Sequence, residues 1–148
     1  TGWLLSADLM GSDGDFGYLD DNGTRVNPDD DVVTKRKNNH FDSQSLLAKL
    51  NFAPAPETKI EFLNDFFHKF EGVPGLGAFQ SETADLDTLR NVTSLKLRRD
   101  GWLSPAFSAE GGAWLLYEKT GFRDLLGEIG TGRQDNRNET IAFGLDAH

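Results

Sequence analysis

The 148-residue sequence predicts an all-β protein with an antiparallel up-and-down meander of about six strands. Two observations lead to this fold class. Apolar and polar residues alternate over several separate segments, and a period of two is the period of a β-strand. The connections between these segments are alternately long and short, which is typical of a meander with short turns at one end and long loops at the other.

Residues 58–70, "TKIEFLNDFFHKF", show the alternation best. One set of alternate positions is mainly apolar, interrupted by Asn64 and His68, and the other is mainly charged, interrupted by Leu63 and Phe67. Because successive side chains of a strand point to opposite faces, the segment predicts a strand with one apolar and one charged face. The apolar positions are Ile60, Phe62, Phe66 and Phe70, and the charged positions are Lys59, Glu61, Asp65 and Lys69.

Four other segments alternate in the same way and predict strands at residues 2–11, 41–52, 103–117 and 139–148. Residues 84–98 are less regular, because their large apolar residues recur every three positions, which suits a helix. The β-branched residues Thr88, Val92 and Thr93 favour a strand instead, and we predict a strand. The apolar face is expected to carry Leu46, Leu50, Phe107, Leu115, Ile141 and Phe143 beside Ile60, Phe62 and Phe66, with Lys49 and Glu110 opposite.

The connections predict which environment the apolar face contacts. The two short ones are residues 53–57, "APAPE", and 99–102, "RDGW", whereas residues 12–38, 71–83 and 118–138 form long ones. In a meander every second connection lies at the same end, so one end carries only short turns and the other only long loops. Outer-membrane barrels have this asymmetry, and the pattern therefore favours an apolar face in contact with lipid and a place in a transmembrane β-barrel.

Aromatic residues near the strand ends agree with this interpretation, because barrel strands carry aromatic girdles at both membrane interfaces. An alternative is that these aromatic side chains fill the ends of a soluble core. They are Trp3, Phe52 and Trp102 at the short-turn end, and Phe41, Phe70 and Tyr117 at the long-loop end.

Composition and motifs exclude several classes of protein. No apolar run approaches the roughly 18–20 residues of a membrane-spanning helix. The net charge of −9 argues against a nucleic-acid partner, which would need a basic face. The sequence has no cysteine for disulfides or thiolate metal sites, its three histidines are widely spaced, and it has no G-x-S-x-G motif. We therefore expect that the chain is not an enzyme.

An acidic segment at residues 13–31 suggests a metal site. It contains seven aspartates and one cation, Arg25, and flexible Asp-, Asn- and Gly-rich loops can supply the oxygen ligands that Ca²⁺ prefers. The spacing is not that of an EF-hand, and a solvated acidic loop without metal is the alternative. The aspartates proposed for Ca²⁺ are Asp29, Asp30 and Asp31.

Four segments resemble the barrel of TonB-dependent outer-membrane receptors: "DGDFGYLDDNGTRVNPDDD", "RKNNHFDSQSLLAKLNF", "NDFFHKFEGVPGLG" and "TLRNVTSLKL". The resemblance covers essentially the whole chain, 1–148, and corresponds to an internal part of the barrel. The family's plug domain, its energy-coupling box and its terminal aromatic residue have no counterpart here. Thr1 is neither an initiator nor the start of a signal segment. We therefore expect a piece of a larger receptor.

The resemblance implies a location and a function. The location is the outer membrane of a Gram-negative bacterium, where such receptors take up a scarce nutrient such as a siderophore, cobalamin or a glycan. The implied partners are outer-membrane lipid, the nutrient, and the TonB system acting through the plug domain. Residues of the longest loop are candidates for nutrient binding because they are aromatic or polar: Phe16, Tyr18, Asp20, Asp21 and Asn22.

Two other functions fit the same pattern of strands. One is a soluble β-sheet binding module, for example a Ca²⁺-dependent module that binds glycans. The other is an adhesin-like structural sheet without a ligand. Solubility distinguishes the module from the barrel segment, because a soluble module would be a monomer in buffer and a barrel segment would need detergent.

Overall fold

Six long strands form one antiparallel sheet in the computed structural model, which describes residues 1–24 and 26–148. Four short strands lie in the connections between the long ones. In chain order the strands are β1 (Gly2–Ser12), β2 (Gly17–Asp20), β3 (Val32–Lys35), β4 (Phe41–Ala55), β5 (Thr58–Gly72), β6 (Gly75–Leu76), β7 (Phe79–Gln80), β8 (Asp85–Asp100), β9 (Ser108–Asp124) and β10 (Gln134–Ala147). A 3₁₀ turn, Pro28–Asp30, precedes β3.

The predicted meander is confirmed. The strand order in the sheet is β1-β4-β5-β8-β9-β10, so each long strand pairs with the next long strand along the chain, and all five pairings are antiparallel. The ambiguous segment 84–98 is a strand, because β8 pairs along its whole length with β5 and β9. No helix in the described part of the chain is long and apolar enough to cross a membrane.

Several predicted boundaries were wrong. β9 begins at Ser108 instead of residue 103 and continues to Asp124. The connection before it is longer than "RDGW" because residues 101–107 close on themselves, with the Gly101 and Trp102 N–H groups donating to the Phe107 carbonyl at 2.8 and 3.2 Å. β10 begins five residues before residue 139, at Gln134. Phe107 therefore lies in a turn and not in a strand, and Tyr117 lies inside β9 and not at its end.

The register confirms the two predicted faces. One row crosses all six long strands with apolar residues only: Trp3, Leu50, Phe62, Leu95, Ala113 and Leu145. Leu46, Ile60, Phe66, Leu115, Ile141 and Phe143 occupy the same parity on their strands, and we call this the apolar face. Lys49, Lys59, Glu61, Asp65 and Glu110 lie at the intervening positions, on what we call the charged face.

No other part of the described chain covers the apolar face. Ala84 is the single buried apolar residue among residues 1–24 and 26–148. On the apolar face Trp3 is 79% exposed and Phe143 is 76% exposed. Contiguous apolar surface on this scale is rare on a soluble monomer and marks a surface that meets lipid or another protein.

The sheet is open. β1 pairs with β4 alone and β10 with β9 alone among the described residues, so each leaves one edge without a partner strand. The backbone groups along such an edge can pair with a further strand.

Candidate functional site

The three long connections lie together at one end of the sheet and form the candidate site. They are loop 1 (residues 13–40), loop 2 (residues 73–84) and loop 3 (residues 125–133). The short turns after β4 and β8 lie at the opposite end, as the sequence predicted. Loop 2 lies between the other two, and its contacts with both determine the geometry of the site.

Loop 1 is organised by the hairpin of β2 and β3, which brings the predicted ligand residues together. The rings of Phe16 and Tyr18 meet edge to face, with centroids 6.5 Å apart. In the turn that follows, the Asp20 carboxylate accepts a hydrogen bond from the Asn22 N–H at 3.1 Å. Asp21 accepts one from the Gly23 N–H at the same distance. These two carboxylates therefore fix the turn as well as facing solvent.

The hairpin of loop 1 rests on loop 2 through Tyr18 and Arg36. The Arg36 guanidinium lies 5.7 Å from the centre of the Tyr18 ring and donates hydrogen bonds to the carbonyls of Gly75 and Gly77. The Tyr18 hydroxyl donates to the Gly77 carbonyl at 3.4 Å. Sequence reasoning missed Arg36, although it lies in the basic run 35–37 of an otherwise acidic loop.

A second set of contacts connects the end of loop 1 to loop 2. The Asn38 amide donates to the Ala84 carbonyl at 2.6 Å and to the Val73 carbonyl at 3.3 Å. Asn38 has a φ of 51°, a left-handed conformation that asparagine tolerates better than most residues. A side chain at Gly72 would collide with Asn38, so the glycine permits this close approach. Lys37 adds an exposed ion pair with Glu82 at 2.5 Å.

Loop 3 is attached to loop 2 by Glu128. Its carboxylate accepts hydrogen bonds from the N–H groups of Glu82 (3.1 Å) and Thr83 (2.9 Å). It also accepts from the hydroxyls of Ser81 and Thr83, both at 2.8 Å. These donors favour the ionised form, led by the Thr83 N–H, and they lower the pKa of Glu128 to about 2.

A buried aspartate positions Glu128. The side chain of Asp124, at the end of β9, is fully buried. Its carboxylate accepts hydrogen bonds from the N–H groups of Glu128 at 2.8 Å and Ile129 at 2.6 Å. The last residue of the strand therefore sets the direction in which loop 3 leaves the sheet.

The aspartates proposed for Ca²⁺ lie in loop 1, between β2 and β3. Asp29 and Asp30 belong to the 3₁₀ turn and Asp31 follows it. Asp30 accepts a hydrogen bond from the Thr24 hydroxyl at 2.7 Å. Within residues 1–24 and 26–148 no group of three or more His, Cys, Asp or Glu side chains is placed to hold a metal ion. Arg25 lies outside the described residues, and the Ca²⁺ hypothesis stays a prediction.

The loops combine polar groups with exposed apolar side chains. Phe16 is 57% exposed, and the β6–β7 hairpin presents Leu76 and Phe79, which are 86% and 80% exposed. Apolar contact area with a few polar groups nearby is what small-molecule binding requires. Nutrient binding by these loops stays a prediction.

The sheet and its loops define an all-β protein with one uncovered apolar face and with its long loops held together at one end. Comparison of the chain with protein families, with curated proteins and with solved structures finds no match in any of the three.

Proposed function

We propose that the chain forms part of the wall of a transmembrane β-barrel in the outer membrane of a Gram-negative bacterium. In this proposal it belongs to a TonB-dependent receptor that takes up a scarce nutrient such as a siderophore, cobalamin or a glycan. The apolar face meets lipid, the charged face lines the interior, and loops 1–3 contact the nutrient outside the cell. The TonB system would act through a plug domain that is not part of this chain.

The observation that carries the proposal is the uncovered apolar face. On β5 the apolar stretch runs from Ile60 to Phe66, which is about 20 Å along a strand. At the tilt of about 35–45° that barrel strands have, this stretch spans about 15 Å of the roughly 25 Å apolar band of outer-membrane barrels. Leaving this surface in water would be unfavourable, because removing apolar surface from water lowers the free energy by about 25 cal/mol per Å².

The apolar face also changes character toward the long loops, as expected at a membrane interface. Past Phe66, His68 lies 2.7 Å from Asp87, and Lys119 lies 3.6 Å from the other oxygen of Asp87. Charged groups are costly in the hydrocarbon layer but not at the level of the headgroups. The change from apolar to charged on one face supports a lipid boundary at this height.

Polar side chains within the apolar band satisfy one another. The Asn64 side-chain amide donates to the side-chain oxygen Oδ1 of Asn91 at 3.2 Å and to the Thr93 hydroxyl at 2.8 Å. The Thr93 hydroxyl donates in turn to Asn91 at 3.1 Å. Because hydrogen-bonded polar groups cost much less in an apolar medium than unpaired ones, this cluster is compatible with lipid on that face.

The charged face has the character of a wet barrel interior. Glu61 lies opposite Lys96 in the register and Glu110 lies opposite Arg98, whereas Lys59 lies opposite the like-charged Arg98. Opposite charges on neighbouring strands offset one another while remaining hydrated. A polar interior with alternating charges is typical of large outer-membrane barrels.

The test uses the absence of native cysteine. The variants Phe62→Cys and Glu61→Cys, each spin-labelled in vesicles, place a probe at adjacent positions on opposite faces. We expect the label at position 62 to be accessible to dissolved oxygen and shielded from a water-soluble nickel chelate, with the reverse at position 61. Equal access of the chelate to both labels would contradict the barrel proposal and favour a soluble binding module.

A further inference from the structure

A groove lies on the apolar face at the short-turn end. Its volume is about 600 Å³, within the range of roughly 300–1,000 Å³ that is common for small-molecule sites. The small residues Ala109, Gly111 and Ala147 form its floor, and Leu97 and Trp102 flank it. Leu97, Gly111 and Ala147 lie side by side in one row of the sheet.

The groove results from a change of side-chain size along that row. On β4, β5 and β8 the row carries Phe52, Ile60 and Leu97, whereas on β9 and β10 it carries glycine and alanine. The backbone does not require glycine at Gly111, because a Cβ there would lie 3.6 Å from the Asp146 carbonyl oxygen, an ordinary contact. The groove therefore results from the small side chains in this row, and not from a close approach of neighbouring strands that would require glycine.

A free cation lies at the end of the groove. Arg99, which lines it, makes no ion pair with any residue that the structure describes, whereas its neighbour Arg98 pairs with Asp100 at 3.1 Å. Arg99 is two residues beyond Leu97 on the same face, toward the turn and the water. Trp102 is 61% exposed beside it, and tryptophan is enriched where hydrocarbon meets headgroups.

We propose that this groove binds one acyl chain of an anionic phospholipid, and that Arg99 binds the phosphate group of the same molecule. Guanidinium groups bind phosphate oxygens in a bidentate manner, and the apolar floor and walls match a hydrocarbon chain. The inference rests on the proposed function, because it requires the apolar face to lie in a bilayer.

Fluorescence quenching of Trp102 tests this proposal. In a chain with Trp3→Phe and Trp114→Phe, Trp102 is the sole tryptophan. The chain is reconstituted in phosphatidylcholine vesicles that contain a minor fraction of brominated phosphatidylglycerol or brominated phosphatidylcholine with the same acyl chains. At equal mole fraction we expect brominated phosphatidylglycerol to quench Trp102 about threefold more than brominated phosphatidylcholine does. A threefold preference in binding is what one exposed ion pair with Arg99 would contribute.

Variants separate the two parts of the site. Arg99→Gln should reduce the quenching by phosphatidylglycerol to that of phosphatidylcholine, and Arg99→Lys should retain part of the difference. Gly111→Leu should fill the floor and reduce quenching by both lipids. Circular dichroism of each variant in the same vesicles establishes that the sheet is intact.

A chain that keeps Trp3 as its sole tryptophan gives the control, because Trp3 lies on the apolar face outside the groove. We expect the two brominated lipids to quench it equally. If both lipids quench Trp102 equally and Arg99→Gln changes nothing, the phospholipid site is wrong while the barrel proposal stands. If circular dichroism shows an intact sheet and neither lipid quenches Trp3 or Trp102, the barrel proposal itself is wrong.

Discussion

At the scale of single residues, a glycine on β10 makes room for a tryptophan on β9. Gly144 and Trp114 are direct cross-strand partners on the charged face. A Cβ at Gly144 would lie 2.6 Å from Cε2 of the Trp114 indole, so the ring lies against the glycine backbone. An aromatic ring over a strand glycine compensates for the missing side chain and helps to fix the register.

Gly144→Ala is therefore expected to displace the half-exposed Trp114 indole and to lower the free energy of unfolding by about 0.5–1.5 kcal/mol, the cost of a side chain forced from its rotamer. Gly121→Ala is the matched control, because a Cβ at Gly121 would meet nothing within 4 Å. Urea titration of the full receptor in vesicles measures both changes. Equal stability of the two variants would show that the indole moves without cost.

Glu128 gives a prediction about pH. Its pKa is about 2 in the folded protein against an ordinary value of 4.5, so its carboxylate stabilises the loops fully above about pH 4.5. This contribution decreases as the pH falls from 4.5 toward 2. We expect the N–H groups of Glu82 and Thr83, which donate to Glu128, to exchange faster with solvent deuterium over this range once the intrinsic pH dependence is subtracted.

Glu128→Gln should produce faster exchange of these two N–H groups already at neutral pH. Glu82→Gln is the control, because among the described residues the side chain of Glu82 contacts only Lys37, in an exposed ion pair, and the change should leave the Thr83 exchange unchanged. Unchanged exchange in Glu128→Gln would mean that Glu128 does not hold the loops together.

Residue roles could be predicted from the sequence only where they depend on alternation. A period of two predicts that Phe62 and Glu61 lie on opposite faces of the sheet, and the structure confirms this. The roles of Arg36 and Glu128 could not be predicted, because each contacts residues about 40 or more positions away in another loop. The Asp20 and Asp21 carboxylates were proposed as ligand groups, and the structure adds that each also fixes a turn.

At the scale of elements, the strands were predicted better than their ends. β8 was predicted as a strand from Thr88, Val92 and Thr93, although its large apolar residues recur every three positions. In the structure β8 pairs with a strand on each side, and this pairing outweighs the helix-like spacing. The start of β9 was placed too early because Leu103 continues its alternation. The turn at residues 101–107 instead closes through its own backbone hydrogen bonds, which periodicity does not reveal.

Strand β5 provides a test of the apolar face. In a full receptor in a bilayer, Phe62→Arg should lower the free energy of unfolding by roughly 2–4 kcal/mol, the cost of a cation near the bilayer midplane. Glu61→Arg, one residue away on the charged face, should change it much less. Urea titration in vesicles measures both, and full tolerance of Phe62→Arg would argue that Phe62 does not face lipid.

At the scale of the whole molecule, the described part of the chain forms a sheet without a second layer. One face is apolar and uncovered, and both edges of the sheet lack a partner among the described residues. Such surfaces associate with one another in water. We therefore expect the isolated chain to aggregate in buffer and to remain dispersed only in detergent or denaturant.

Gel filtration with and without detergent measures this behaviour. A sharp monomer peak in buffer would contradict the barrel proposal and support a soluble binding module. In that case an increase of the melting temperature on adding millimolar Ca²⁺ would indicate that the module binds the ion, because a ligand stabilises the state that binds it.

The meander has a consequence for how the sheet is assembled. Among the described residues each long strand pairs only with the long strands next to it along the chain, and the pairing of β1 with β4 must close loop 1. The sheet can therefore grow hairpin by hairpin, with the open edge of one strand acting as the template on which the next strand forms.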